Sequence, residues 1–401
     1  MQQLWIFVLQ GLFIGICDEI DIAFGNNISI DAICVLSAYT VITWITYCTY
    51  QMGGYAYRIM LSKEKNCLAI TLIISILLGI IIFTFSNKIP HLYKLTNNQY
   101  EVFTKCLKVH AISIPVLAIG EFLGNYIVLK CMNKLMWISN IVLYAIMILL
   151  DLAVFINGYG LEYLILTTFI SYVVYDMLLI TQSKILRVQD KITLSDLRLC
   201  IKHALNMYTD RILGKVATIT YNIYASRLGT EIYAIHCICY SISTFTENIT
   251  NAQFNYQLIR LVPYEGYKEK YKICIDILKK TLLPLSIIGY VTSFILLIFL
   301  HGDIVISNCI LPLVVYCSQV ILIQLYESLR GYLTSLKKSE LLKWAGLIGI
   351  FIRIPITLIA YYCNIGIYGF AIASSLDFLC RGIYFYMCHR IKISRANNKR
   401  I

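Results

Sequence analysis

The chain has 401 residues, 59% of them hydrophobic and 14% charged, with mean hydropathy +0.72. A soluble domain holds about 45–50% apolar and about 25% charged residues, so this composition excludes an ordinary soluble enzyme or binding module and indicates an integral membrane protein. The net charge of +12 does not signal nucleic-acid binding, because the basic residues follow a topological pattern.

Apolar runs predict twelve helices, at 4–24, 30–57, 67–86, 103–129, 136–156, 162–183, 199–226, 231–258, 278–300, 304–329, 341–363 and 366–388. Runs such as "CLAITLIISILLGIIIFTF" (67–85) and "LLPLSIIGYVTSFILLIFL" (282–300) suit a hydrocarbon core of about 30 Å. The expected fold is an all-α integral membrane protein of two pseudo-symmetric six-helix bundles, 1–190 and 191–401. The start has neither the basic region nor the small-residue cleavage site of a signal peptide.

The first helix carries "GLFIGICDEIDIAFGNNISID" (11–31), with Asp18, Glu19 and Asp21 inside an apolar frame. A charge at the bilayer centre costs about 2.5–3.5 kcal/mol on insertion scales, so an intramembrane acid marks a functional candidate. Helix 5 carries Asp151 and helix 6 carries Thr168. At 1.5 Å rise per residue, Asp18, Asp151 and Thr168 all lie roughly 8–9 Å from the same membrane edge. Two carboxylates and a hydroxyl at one depth offer oxygen ligands to Na⁺, or a carboxyl pair that shares a proton. Asp21 is expected to face water, and the direction of Glu19 is left open.

The charged loop "SKILRVQDKITLSD" (183–196) links the halves. In the second half Asp210, Arg353 and Asp377 fall near mid-membrane. They form either a substrate or second coupling site, or a structural charge pairing in which Arg381 joins Asp377 at i,i+4. Asp210, beside Arg211 and with Lys215 nearby, is the functional candidate of this set. The tyrosine-rich stretches at 39–57 and 219–240 and His236 read as packing rather than a site. The 15 cysteines show no CxxC pair and no metal spacing, and no P-loop or catalytic signature is present. No metal beyond a coupling Na⁺ and no cofactor are expected.

Alternate connections and the C-terminal tail hold 25 of the 34 Lys and Arg residues. The positive-inside rule then places both termini in the cytoplasm. The halves also repeat. "FGNNISIDAICV" (24–35) aligns with "LGTEIYAIHCIC" (228–239), "NGYGLEYLILTTFIS" (157–171) with "CNIGIYGFAIASSLD" (363–377), and Trp137 with Trp344. Parallel repeats of six helices place a cavity between two bundles.

The chain resembles the multidrug and toxic compound extrusion (MATE) transporters along nearly its whole length. The resemblance rests on "ICDEIDIAFGNN", "LLDLAVFINGYGLEYLILTTFIS", "NMYTDRILGKVATITYNIYASRLGTEIYAIHCI", "LRGYLTSLKKSELL" and "IRIPITLIAYYCNIGIYGFAIASSLDFLCRG", in family order. It implies a monomer that exports amphipathic or cationic small molecules across the cytoplasmic membrane against inward Na⁺ or H⁺. By motif position, Asp18, Asp151 and Thr168 then fall at the cation site and Asp210 at the helix 7 acid. Departures are Met147 for the family's usual Asn, Gln3 and Asn206 for its prolines, and a start without the usual leading segment. The alternative is a flippase for a lipid-linked oligosaccharide or similar amphiphile, kept open by Arg211, Lys215, Arg353 and Arg381. A non-transporting scaffold and an enzyme are the weaker readings.

Overall fold

The computed structural model describes residues 30–60, 68–130, 132–183, 193–261, 263–264, 266–336 and 338–398. Of the first 29 it describes 4, 5, 8, 9, 11–13, 15, 16, 20, 23 and 24. The side chains of 49–60, of 301–307 and of most of 194–211 lie outside the description. Among the described residues the chain is helical, without strands. The described residues within 4–24 are all helical and form α1. There follow α2 (Ile30–Met60), α3 (Leu68–Phe85), a 3-10 turn (Ile89–Leu92), α4 (Asn97–Leu129), α5 (Asn133–Ile156) and α6 (Leu161–Ser183). The second half adds α7 (Leu194–Ser226), α8 (Thr230–Leu261), α9 (Tyr267–Cys317), α10 (Val320–Ser335), α11 (Ser339–Tyr362) and α12 (Ile367–Asn398). Among the described residues, 7 helices are long and apolar enough to cross a membrane.

The burial pattern is inverted relative to a soluble protein. Ile73, Ile76, Leu77, Ile80 and Ile81 leave one side of α3 exposed, and Phe351 of α11 is 74% exposed. Inside lie Thr46, His110, Asn222, His236, Gln253, Gln257 and Asp377. A lipid-facing surface gains nothing from polar groups, whereas buried polar groups need partners within the protein. Those partners are largely found. Gln253 donates to Ser328 at 2.7 Å, and Gln257 donates to the Cys274 carbonyl at 3.0 Å. At the start of α4, Thr96 and Gln99 form a reciprocal capping box, the Gln99 backbone N–H donating to Thr96 Oγ1 and the Thr96 N–H to Gln99 Oε1. The Gln99 side chain then donates to Asp31 in the first turn of α2 at 2.7 Å, fastening the two helices.

Two compact units form, Phe24–Lys215 and Val216–Ile401 with Met1–Ala23. In the first, α4 packs on α2, α3 and α6, and α5 packs on α6. In the second, α8 packs on α9 and α10, and α11 packs on α12. Gly11 and Gly15 of α1 sit one turn apart against Asn248 and Phe245 of α8. A Cβ added at Gly11 would come within 2.6 Å of the Asn248 carbonyl oxygen, and one at Gly15 would run into the Phe245 ring.

The break expected near 301–303 takes an unexpected form. Helical hydrogen bonding continues from Tyr267 to Cys317. Yet Lys270 Nζ donates to the Ser335 carbonyl, Gln324 donates to Ser286, and Gly289 lies against Val320. Pairing numbers fall on one side as they rise on the other, so the two segments are antiparallel. A straight helix would separate residues 289 and 320 by about 46 Å; the chain therefore turns back between them. Nothing in "FLHGDIVI" forbids this labelling, because a lone Gly costs a helix only about 1 kcal/mol.

The repeat is visible in the backbone. In the first half Lys130, Met132, Asn157, Gly158, Tyr159 and Tyr163 donate to the carbonyls of Tyr126, Ile127, Ala153, Phe155, Val154 and Gly160. The same bonds recur 206 positions later, from Leu336, Lys338, Cys363, Asn364, Ile365 and Gly369 to Tyr332, Leu333, Ile359, Tyr361, Ala360 and Gly366. Gly158 (φ 66) and Asn364 (φ 56) share the left-handed conformation that ends α5 and α11, and both helices have 24 residues.

Gly11→Ala is expected to lower the thermal midpoint of detergent-solubilised protein, at a cost of about 1–3 kcal/mol, because the obstructing atom is backbone. Gly382→Ala in α12, where an added Cβ meets nothing within 4 Å, is expected to be neutral or stabilising by up to about 1 kcal/mol. Equal midpoints for the two variants would refute the α1–α8 packing.

Candidate functional site

Asp151 lies on α5, five residues before its end at Ile156, and is 1% exposed. Its partner comes from the first turns of α6. Thr167 Oγ1 makes a short hydrogen bond with Asp151 Oδ1 and also reaches the Leu164 carbonyl at 2.6 Å. One hydroxyl carries one proton and cannot donate to both acceptors. Its side-chain acceptor is Asp151 Oδ1, with the Leu164 carbonyl as the alternative. Asp151 Oδ2 has no hydrogen-bond partner among the described residues. This leaves one oxygen free to hold a proton or to face a cation. Phe24, at the end of α1, stacks on Phe155 of α5 with ring centroids 4.7 Å apart, so the ends of α1 and α5 meet one turn beyond Asp151.

The expected neighbours of Asp151 divide. Asp18, with Glu19 and Asp21, lies outside the described residues. Thr168 is half-buried and its hydroxyl is directed to the Leu164 carbonyl at 3.5 Å; the adjacent Thr167 is the residue that meets Asp151. Met147, one turn before Asp151 on the same face, is buried and apolar. It supplies a thioether where an oxygen ligand is usual in the resembled pattern.

The second set gathers around Asp377 of α12, which is 0% exposed. Arg353 Nη2 lies 3.0 Å from its Oδ2, Arg381 Nη2 donates to the same oxygen at 2.7 Å, and Arg381 Nε makes a short bond to Oδ1. Arg353 also donates to Thr218 of α7 at 2.9 Å and to Ser374 at 2.8 Å. Its guanidinium lies 5.8 Å from the Tyr221 ring centroid and 5.6 Å from that of Phe378, within cation–π range. The Arg381 guanidinium presses against the Cα of Gly349 on α11, where no side chain has room. The cluster ties α7, α11 and α12 together. The backbone of Asp210 is part of α7; its side chain, like that of Arg211, lies outside the description. Lys215 sits 4.5 Å over Trp44 of α2.

Sequence reasoning passed over two buried groups, Asp176 and His110, and read a third, His236, as packing. Asp176 of α6 is 6% exposed, with Oδ1 unpartnered among the described residues. His110 of α4 is satisfied on both ring nitrogens, by Tyr39 at 3.3 Å and Thr46 at 2.8 Å. His236 of α8 bonds Tyr316 at 2.6 Å within a cluster of Tyr221, Tyr233, Tyr240 and Phe370. For Asp176 the signal was available, since it is an acid inside a predicted span.

The sequence matches no family model and no curated protein. Solved structures do share its fold. An inward-facing multidrug resistance MATE family transporter of the MOP superfamily is 15% identical, with TM-score 0.71 over 97% of this chain and 96% of that one. An outward-facing form of such a transporter gives 13% and 0.70 over 99% and 96%. A MOP superfamily transporter from Pyrococcus furiosus, described as having a binding pocket of reverse polarity that suggests a different function, gives 14% and 0.68 over 98% and 95%. The chain is thus a multi-pass membrane protein, and its fold is that of the MATE transporters.

Removing the anion from the Asp377 cluster strands two buried guanidiniums, a change that costs about 3–5 kcal/mol. Asp377→Asn is therefore expected to lower the thermal midpoint sharply. Asp151→Asn, which keeps an oxygen for Thr167, is expected to lower it little. Similar midpoints for Asp377→Asn and wild type would show that the two arginines find other partners.

Proposed function

We propose that the chain is an export transporter that moves amphipathic or cationic small molecules outward against inward Na⁺ or H⁺. The observation that carries this reading is Asp151, a buried carboxyl five residues before the end of α5 with one oxygen unpartnered among the described residues, in a chain with the MATE fold. Asp18 is assigned to the same coupling site, with Thr167 or Thr168 as the hydroxyl. The protein acts as a monomer in the cytoplasmic membrane with both termini inside, as the basic connections suggest. The coupling ion is its only cofactor, and no catalytic chemistry is assigned.

The mechanism follows from differential affinity. A ligand shifts a conformational equilibrium only by binding one state better. A cation reaching Asp151 from outside neutralises a carboxylate that is costly to bury, and so favours the state in which α5 and α6 close around it. Closure releases substrate outward, and loss of the cation inside resets the cycle. In this reading Asp210, Arg353 and Asp377 are assigned to the substrate or to a second coupling step. A second reading, flipping of a phosphate-bearing amphiphile, is favoured by one feature: Arg353 and Arg381 outnumber Asp377.

The test is flux of a fluorescent organic cation in proteoliposomes under an imposed Na⁺ or H⁺ gradient. Wild type should show gradient-driven flux, and Asp18→Asn and Asp151→Asn should reduce it to the level of empty liposomes while remaining folded. Wild-type flux in both variants would sink the coupling role. Absence of cation flux together with scrambling of a labelled lipid phosphate would select the flippase.

A further inference from the structure

Asp176 lies on α6 nine residues beyond Thr167. That is about 13–14 Å along the helix and about half a turn away around it. Thr167 meets α5, whereas Asp176 meets α4. The two acids therefore use opposite faces of α6 and opposite halves of the membrane: Asp151 sits near the end of α5 and start of α6, and Asp176 seven residues before the α6 end at Ser183.

The surroundings of Asp176 are built for close approach. Gly120 and Gly124, one turn apart on α4, receive three side chains of α6. A Cβ added at Gly120 would lie 2.9 Å from Asp176 Oδ1 and 2.7 Å from the Tyr172 ring, and one at Gly124 would lie 3.1 Å from the Tyr175 hydroxyl. The carboxyl thus rests against the bare backbone of α4. Tyr175 is hydrogen-bonded to Ser139 of α5 and edge-on to Tyr172, with centroids 5.8 Å apart. The titratable groups around Asp176 are then Tyr172 and Tyr175 from α6 and Glu121 from α4, which acts electrostatically on Tyr175. Serine is the contribution of α5. Among the described residues none of these is a cation, and Oδ1 has no hydrogen-bond partner. An ionised carboxylate in such a place loses its hydration without compensation, at a cost of several kcal/mol.

We propose that Asp176 is a second proton-binding site of this unit, in the membrane half opposite Asp151, occupied while α4 and α6 are in contact at Gly120 and emptied when that contact opens to water. The α6 helix then carries two carboxyl sites with different partners. Movement of α6 against α4 acts on one, and movement against α5 acts on the other. A proton bound at one membrane face therefore has a counterpart site near the other.

The test reads protonation rather than transport, so its failure and the failure of the export reading are separable. Reconstituted full-length protein is followed by infrared difference spectroscopy across a pH series, reading the C=O stretch of protonated carboxyl groups. Asp176→Asn should delete one pH-dependent component that persists in Asp151→Asn. Gly120→Ala, which places a methyl against Oδ1, should displace the frequency or midpoint of that same component and leave the Asp151 component unchanged. Superimposable wild-type and Asp176→Asn spectra would overturn the proposal. So would a Gly120→Ala spectrum without any displacement, and that variant carries the test alone if Asp176→Asn does not fold.

Discussion

Inside this bundle a polar group cannot turn to water, and the Asp377 cluster shows what that constraint produces. One carboxylate is held by two guanidiniums, each of which also lies over aromatic rings. Neither arginine would be tolerable there alone, and neither would the acid. The constraint reaches into the helices that supply the parts. Gly349 of α11 has no side chain because the Arg381 guanidinium occupies that space. Thr218 and Ser374 present hydroxyls because Arg353 has donors beyond those that Asp377 accepts. The same logic accounts for Gln253, Gln257 and Ser328 between α8 and α10, and for His110 between α2 and α4.

The two halves share a backbone and divide the chemistry. Applying the 206-residue offset of the matching turns, Asp151 corresponds to Thr357, Met147 to Arg353, and Ser171 to Asp377. One copy of the helix pair holds its acid on the first helix, beside an apolar thioether. The other holds its acid on the second helix, beside an arginine. The acid of the first copy keeps an oxygen without a partner among the described residues, and that of the second has both oxygens engaged. The caps and turns that build the hairpin were conserved between copies because any change there alters the backbone; the interior positions changed because side chains can be exchanged without moving it.

Much of the architecture was legible in hydropathy. The helix pair at 136–156 and 162–183 falls within three residues of α5 and α6, because lipid-facing apolar runs end sharply at Asn157–Gly160. The reversal within α9 was legible as a polar interruption at His301–Asp303, though not its helical hydrogen bonding. Side-chain register was harder. Thr167 and Thr168 differ by about 100° around α6, and the depth of Asp151 does not say which one faces it. The pairing of Asp377 with Arg353 was foreseeable as one of two alternatives, since charges that share a depth in lipid tend to find one another. The cradle at Gly120 was not foreseeable, because a glycine pair on one helix does not say what another helix will place against it.

The contrast between satisfied and unsatisfied acids bears on where a moving charge can act. At Asp377 both carboxylate oxygens are engaged by guanidiniums packed against it. At Asp151 and Asp176, by contrast, one carboxyl oxygen has no hydrogen-bond partner among the described residues. The first copy thus holds acids with an oxygen unpartnered among the described residues, and the second holds an acid engaged on both oxygens. Coupling requires both properties: a group whose occupancy changes the cost of closing the helices around it, and a framework stiff enough that the change is expressed as movement rather than absorbed locally. The two matching backbone frames differ at a few interior positions, Met147 against Arg353 among them, and in the second frame the arginine engages the acid.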